Sequence, residues 1–208
     1  MADEIPRFTT LMDDGAAPGA PIWSLRPAES SDEALLLRIF AESHCAGFQL
    51  LGLEPAALDG LIRMQFRARQ AQYRLHPGAT EHLICRGTGL AAIPVGTCWL
   101  SDSAEQLRVL DIAVLAEHRR QGVARAVLTG LCARAATAGK PVGLSVWHQN
   151  VPARELYRVL GFVPDPTIGG GEGNQHSEPG DLGNGYLELR CSPSDAPHAG
   201  ARHRAGAR

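Results

Sequence analysis

The segment QLRVLDIAVL (Gln106–Leu115) reads as an extended strand apolar on both faces, with Asp111 as the exception. A strand that is apolar on both sides is normally central in a sheet, because only there are both faces covered. The next segment narrows the fold further. EHRRQGVARAVL (Glu117–Leu128) passes from that strand into helical spacing, and the helix GVARAVLTGLCARAATAGK closes at Gly139, a suitable C-cap. A second strand, PVGLSVWHQ, comes after the helix. Strand, helix and strand in this order predict a mixed α/β (α+β) fold.

The flanking segments extend the pattern. IWSLRPA (Ile22–Ala28) predicts a short strand. SSDEALLLRIFAESHCAGF starts with N-cap residues and continues with helical apolar spacing. In EPAALDGLIRMQFRARQAQYRLHPG, Leu58, Leu61, Ile62 and Phe66 fall on one side of a second helix, which ends before Pro77 and Gly78. EHLICRG and IPVGTCWLSD predict a hairpin. NVPARELYRVLGF predicts a helix ending at Gly161, and GYLELRC (Gly185–Cys191) a last strand, with one further strand near Phe162–Ile168. The expected order is β-α-α-β-β-β-α-β-α-β. Residues 1–21 and 192–208 are expected as a flexible leader and a disordered tail, and 169–185 as a long Gly-rich loop.

Composition removes several function classes. The 208 residues carry a net charge of −2, which gives no global basic field for nucleic acid or an anionic membrane. No apolar run approaches the length of a bilayer span, and MADEIPRFTTLMDDG has neither the basic nor the apolar region of a secretory signal. The five cysteines form no C-x-x-C pair, so free thiols in a reducing cytoplasm are expected rather than a disulfide framework or a metal site.

The helix start at RRQGVAR poses a chemical question. A helix N-terminus has unpaired N–H groups and partial positive charge, and a glycine there lets an anion approach the backbone. Gly122 and Ala124 are small, while Arg119, Arg120 and Arg125 add charge, so a pyrophosphate would fit. An ordinary strand-to-helix turn with solvated arginines accounts for the segment equally well. The G-x-G-x-x-G and G-K-[ST] patterns are both missing, which argues against NAD and ATP.

A second segment is informative beside the first. NVPARELYRVLGF places Asn150 at a strand end, Tyr157 seven residues on, and Gly161-Phe162 at the helix end. Together the two segments resemble the GNAT superfamily of acetyl-CoA-dependent N-acetyltransferases: Arg119-Arg120-Gln121-Gly122-Val123-Ala124 matches its [RQ]-x-x-G-x-[GA] motif, and the second segment its N-x-x-A-x-x-L-Y-x-x-x-G-F motif. The likeness spans 21–191 in element order and is specific from Leu107 to Val163. It implies a domain over 22–191 with a central, mixed, mostly antiparallel sheet of six to seven strands, splayed at the cofactor gap and flanked by about four helices.

The resemblance also implies roles. Ile112, Ala113 and Val114 would offer backbone groups to the pantetheine arm of acetyl-CoA. Arg119, Arg120, Gln121, Gly122, Val123, Ala124 and Arg125 would surround the pyrophosphate, and Asn150 would bond the pantetheine. Tyr157 would give a proton to the leaving thiolate, and a backbone N–H near Val114 would stabilise the oxyanion. A packing tyrosine under the sheet is the alternative for Tyr157. The expected activity is acetyl transfer to a primary amine of a small molecule or protein, with no metal, nucleic acid or membrane involved; a non-catalytic acyl-CoA-binding regulatory module is the alternative. Paired domains are common in the family, which leaves a homodimer open.

The proton acceptor is less legible. Some members carry a glutamate five residues before the asparagine; here that residue is Ser145. Serine is too weak a base; Asp111, His148, Glu81 and Glu42 are other candidates, the amine could also lose its proton to water, and the sequence assigns no base. Asp111 is either a carboxylate whose pKa burial raises, or one hydrogen-bonded at a strand bulge. The acceptor site is expected between the two N-terminal helices and the Gly-rich loop, where Gln65, Arg69 and Tyr73 either line it or are simply solvated.

Overall fold

The computed structural model describes residues 9–11, 21–168 and 185–194. Among the described residues, eight strands form one sheet in the order β1-β2-β3-β4-β5-β6-β8-β7. They are β1 (Thr9–Leu11), β2 (Trp23–Pro27), β3 (Ala79–Arg86), β4 (Ile93–Asp102), β5 (Leu107–Val114), β6 (Val142–Trp147), β7 (Val163–Pro164) and β8 (Tyr186–Cys191). The helices are α1 (Glu33–His44), α2 (Pro55–Arg74), α3 (Val123–Thr137) and α4 (Val151–Val159). Every neighbouring pair of strands is antiparallel except β5 and β6, which are joined through α3 and run parallel.

Seven of the strands are those expected from the sequence. The eighth, β1, falls inside the 1–21 leader, so these three residues are strand rather than flexible leader. Their two threonines are β-branched, a type that suits extended backbone, and they add to the open edge of β2. The Gly-rich loop lies outside the described residues apart from Gly185, as does the tail beyond residue 194. No helix among the described residues is long and apolar enough to cross a membrane.

The two faces of the sheet bury separate cores. On one, Val127, Leu128 and Leu131 of α3 pack with Leu107, Val109, Val142 and Leu144 of the strands, joined by Tyr157 and Phe162 from the α4 region. On the other, Leu36, Ile39 and Phe40 of α1 and Phe66 of α2 pack on Leu83, Cys85, Ala113 and Leu115. All five cysteines are buried.

The membership of these cores locates a switch in β5. Leu107 and Val109 face α3, but after one extra residue Ala113 and Leu115 face α1 and α2. The register with β4 shows the cause. Val109 pairs with Leu100 and Asp111 with Trp99, leaving Leu110 as a bulge. One inserted residue moves every later side chain to the opposite face. Pairing with β6 also stops here: only Leu107–Val109 meet Val142–Leu144. Beyond the bulge, the two strands diverge.

Candidate active site

The closed part of the β5–β6 seam is locked by charge. Arg108 of β5 reaches across to Glu188 of β8, which is almost fully buried, and its Nη2 also donates to Ser145 Oγ at 2.8 Å. Ser145 in turn donates to Glu188 Oε2 at 2.7 Å. Gly143 lies between the two charged groups: a Cβ there would stand 3.7 Å from both Arg108 Nη1 and Glu188 Oε1. Ser145 is therefore part of a structural clamp.

Beyond Val109 the seam opens into a cleft of ≈ 300 Å³. Leu110, Asp111 and Ile112 line one side, Ser145, Val146 and Trp147 the other, with Asn150, Tyr157 and Tyr186 at its far wall. Backbone alternation sets which groups face it. Leu115 N–H donates to Val95 O at 2.9 Å, and Ala113 O abuts Gly96, so these residues turn their polar groups towards β4. Ile112 and Val114 turn theirs to the cleft. Of the three residues expected here, Ala113 thus has its polar groups committed to β4. Val114 O is occupied as well, accepting from Arg119 Nε at 2.8 Å. The N–H and C=O of Ile112 and the N–H of Val114 remain.

The turn into α3 splits the predicted basic cluster. Arg119 folds back onto α1, donating also to Glu42 O at 3.1 Å and Ser43 Oγ at 3.2 Å. It fastens the turn instead of facing outward, a consequence of α1 packing beside β5 that local sequence does not reveal. Gln121 Nε2 donates to Glu117 O at 2.9 Å and holds the same turn. Arg120 and Arg125 are exposed and have no side-chain partner among the described residues. Arg120 has φ 62° and Gly122 φ 79°, two left-handed residues within three. Gly122 is the N-cap of α3 and supplies no side-chain cap. The N–H groups of Val123, Ala124 and Arg125 in the first turn are thus without intrahelical partners. Open strand edge, uncapped helix start and two free guanidiniums fit an extended amide-bearing chain that ends in a pyrophosphate.

Asn150 caps its own helix, its Oδ1 accepting from Ala153 N–H at 3.3 Å; its amide nitrogen has no partner among the described residues. Tyr157 is buried, tilted against Phe162 with ring centroids 5.8 Å apart, and lines the cleft. Burial first, then the negative charge of Asp111, pushes its pKa up to about 12. It is therefore both a core residue and a cleft residue, and it stays protonated at neutral pH.

A narrow slot lies between α1, α2 and the sheet. Leu36, Phe40, Phe66 and Trp99 form apolar walls, and His44, Arg69, Gln70, Tyr73, Glu81 and Asp111 supply polar groups. His44, Arg69, Tyr73 and Asp111 also line the cleft, so the two spaces share a wall. Glu81, Trp99 and Asp111 are cross-strand neighbours in one row across β3, β4 and β5. Burial raises the Glu81 pKa against hydrogen bonds from Trp99 and Gln70, the latter at 3.1 Å. The Arg69 guanidinium lies 5.6 Å above the Tyr73 ring. Gln65 lines an outer pocket with Phe48 and Gln72.

His44 is the residue that sequence reading missed. Its Nε2 lies 3.4 Å from Asp111 Oδ2, and its ring stacks on Phe40 at 5.1 Å. The signal was present: Leu36, Phe40 and His44 repeat at i, i+4, which makes the histidine the last member of a buried stripe. The other candidate bases are engaged elsewhere. Glu42 bonds Arg38 and accepts from Ala116 N–H at 3.1 Å. His148 is exposed, with Nδ1 2.8 Å from Gly185 O.

Comparison with known proteins agrees with this layout. The profile of the acetyltransferase (GNAT) family matches residues 60–162. The PaiA N-acetyltransferase from Thermoplasma acidophilum, in complex with coenzyme A, is 12% identical, with 82% of this chain and 98% of that chain covered and a TM-score of 0.53. The ribosomal-protein-S18-alanine N-acetyltransferase from Escherichia coli is 15% identical over 85% of this chain and 97% of that one, with a TM-score of 0.52. At such identities the likeness speaks for the fold alone. No curated protein sequence matches the chain. The matched segment runs from α2 through the opened seam and the α3 turn to Phe162, and the chain belongs to the GNAT acetyltransferase family.

Proposed function

We propose that the chain transfers an acetyl group from acetyl-CoA to a primary amine of a small molecule or protein, by direct attack of the amine on the thioester. The observation that carries this reading is the half-open β5–β6 seam, which leads to the uncapped start of α3. The pantetheine arm lies along Ile112 and Val114 and the amide of Asn150. The pyrophosphate meets Arg120, Arg125 and the N–H groups after Gly122. The thioester then lies in the cleft beside Tyr157, and the acceptor enters through the slot under α1 and α2.

Two groups serve the chemistry of the leaving group and the carbonyl. The Val114 N–H faces the cleft and donates to the developing oxyanion. Tyr157 holds its proton at neutral pH and gives it to the departing sulfur, whose thiolate would otherwise leave uncompensated. A regulatory acyl-CoA-binding module would need neither Tyr157 nor a second space beside the cleft.

Calorimetry with acetyl-CoA, using NAD and ATP as controls, tests the placement, and thiol release in an amine screen tests the reaction. Binding of acetyl-CoA alone, with amine-dependent thiol release, is expected. Equal binding of all three nucleotides, or none, would remove the basis of the reading.

A further inference from the structure

Direct attack needs a neutral nitrogen, yet primary amines are mostly protonated near neutral pH. A group that accepts the proton must therefore face both the acceptor slot and the thioester end of the cleft. Asp111 lines both spaces. It does so because of the bulge at Leu110: it has the sequence parity of Val109, which faces α3, but is turned to the α1 and α2 side. Bulges beside active sites commonly re-aim a side chain in this way.

We propose that Asp111 takes the proton of the acceptor ammonium group, and that His44 is the positioning residue that holds its carboxylate in place. The inference rests on the acetyltransferase reading and deepens it. Both side chains are one-fifth exposed or less, at 20% for His44 and 17% for Asp111. The His44 Nδ1 is buried with no partner among the described residues, so Asp111 is the ring's polar contact. Phe40 fixes the ring plane, with an interplanar angle of 19°. The groups facing Asp111 are His44 from α1, Arg69 and Tyr73 from α2, Glu81 from β3 and Tyr157 from α4. Glu81 already accepts from Gln70 and Trp99, whereas His44 is the one hydrogen-bonding or ionic partner that Asp111 has among the described residues.

The step balances in atoms and charge. One N–H bond of the ammonium breaks, its electron pair stays on nitrogen, and the proton forms an O–H bond on Asp111. The neutral nitrogen attacks the thioester carbon. The C–S bond breaks with its pair on sulfur, which takes the Tyr157 proton; the tyrosine recovers one from the second N–H lost by nitrogen. The proton on Asp111 leaves to solvent.

The test compares two kinds of nucleophile on acetyl-CoA. Hydroxylamine is neutral at neutral pH and needs no proton acceptor before attack; a panel of alkylamines, blocked lysine and an alanine-initiated peptide is cationic. Asp111→Asn should lower kcat/KM for the cationic amines by about 10²-fold, leaving the hydroxylamine reaction and acetyl-CoA affinity nearly unchanged. His44→Gln, which keeps a donor, should retain most of the rate, and His44→Leu should lose it for the cationic amines only. Equal loss with both kinds of nucleophile, or none with either, would overturn the assignment. Should Asp111→Asn fold poorly, Asp111→Ala with added formate decides: rescue confined to the cationic amines supports the role, and no rescue overturns it. A wild-type protein that binds acetyl-CoA and consumes hydroxylamine but none of the cationic amines would overturn both this inference and the amine acceptor. Failure to bind acetyl-CoA would overturn the cofactor placement alone.

Discussion

The two halves of the β5–β6 seam are built from the same pair of strands and behave oppositely. In the lower half, Leu107–Val109 pair with Val142–Leu144, and Arg108, Ser145 and Glu188 clamp three strands together. In the upper half, a single extra residue, Leu110, ends the pairing, frees the backbone of Ile112 and turns Asp111 towards the slot under α1 and α2. On the proposed reading, the clamp below the bulge serves stability and the chemistry takes place above it. The difference shows how little sequence is needed to convert a sheet into a binding cleft, provided the strands are held firmly just beneath the opening.

The largest expected effect breaks the closed half. Arg108→Met leaves Glu188 buried without its cation, and should cost about 3 kcal/mol of folding stability in denaturant titration. A stability equal to wild type would mean that the clamp contributes nothing. In the open half the effects should fall on function instead. Tyr157→Phe keeps the packing against Phe162 and should lower turnover about 10²-fold with acetyl-CoA affinity unchanged. Full activity in this variant would leave Tyr157 as a core residue only. Gly122→Asp should weaken acetyl-CoA binding by about tenfold, through negative charge at the α3 start and a side chain at positive φ. Turnover at saturating acetyl-CoA should survive; normal affinity would contradict the pyrophosphate placement.

A further effect on the closed, buried side of the sheet is confined to acid pH. His82 is buried on β3, and its pKa is lowered from 6.5 to about 4, chiefly by burial and then by the positive charge of Arg134. The folded-state value is depressed, so below 6.5 the unfolded chain binds the proton first. Its stabilising effect is therefore complete above that pH and declines as pH falls towards about 4. Thermal melts across this window should show a slope that flattens in His82→Leu; an identical slope in the variant would assign the acid sensitivity elsewhere.

Much of this molecule was legible before its structure. The apolar segment around Val109–Leu115 became a central strand, and the two motifs fell at the cleft and at the α3 start, because both depend on local spacing. Four features were not legible, each for a tertiary reason. The sequence allows a strand bulge at Asp111 but not the face that results: counting along β5 puts Asp111 with Val109, and only pairing with β4 sets the extra residue at Leu110 and reverses it. Arg119 has the same local signature as Arg120 and Arg125, and its backward fold depends on α1, far away in sequence. His44 ends an apolar helical stripe, and its chemical partner lies on another element. Thr9–Leu11 gave too short a pattern for a strand without the edge of β2 to receive it.

The open half of the seam is the central claim, and amide hydrogen exchange at Ile112 and Val114 tests it most directly. Both N–H groups face the cleft, whereas Ala113 is turned towards β4 and serves as an internal reference. Ile112 and Val114 should exchange quickly in the free protein and slow markedly with acetyl-CoA, with Ala113 slow throughout. Slow exchange at all three in the free protein, or fast exchange at Ile112 and Val114 that acetyl-CoA leaves unchanged, would contradict it.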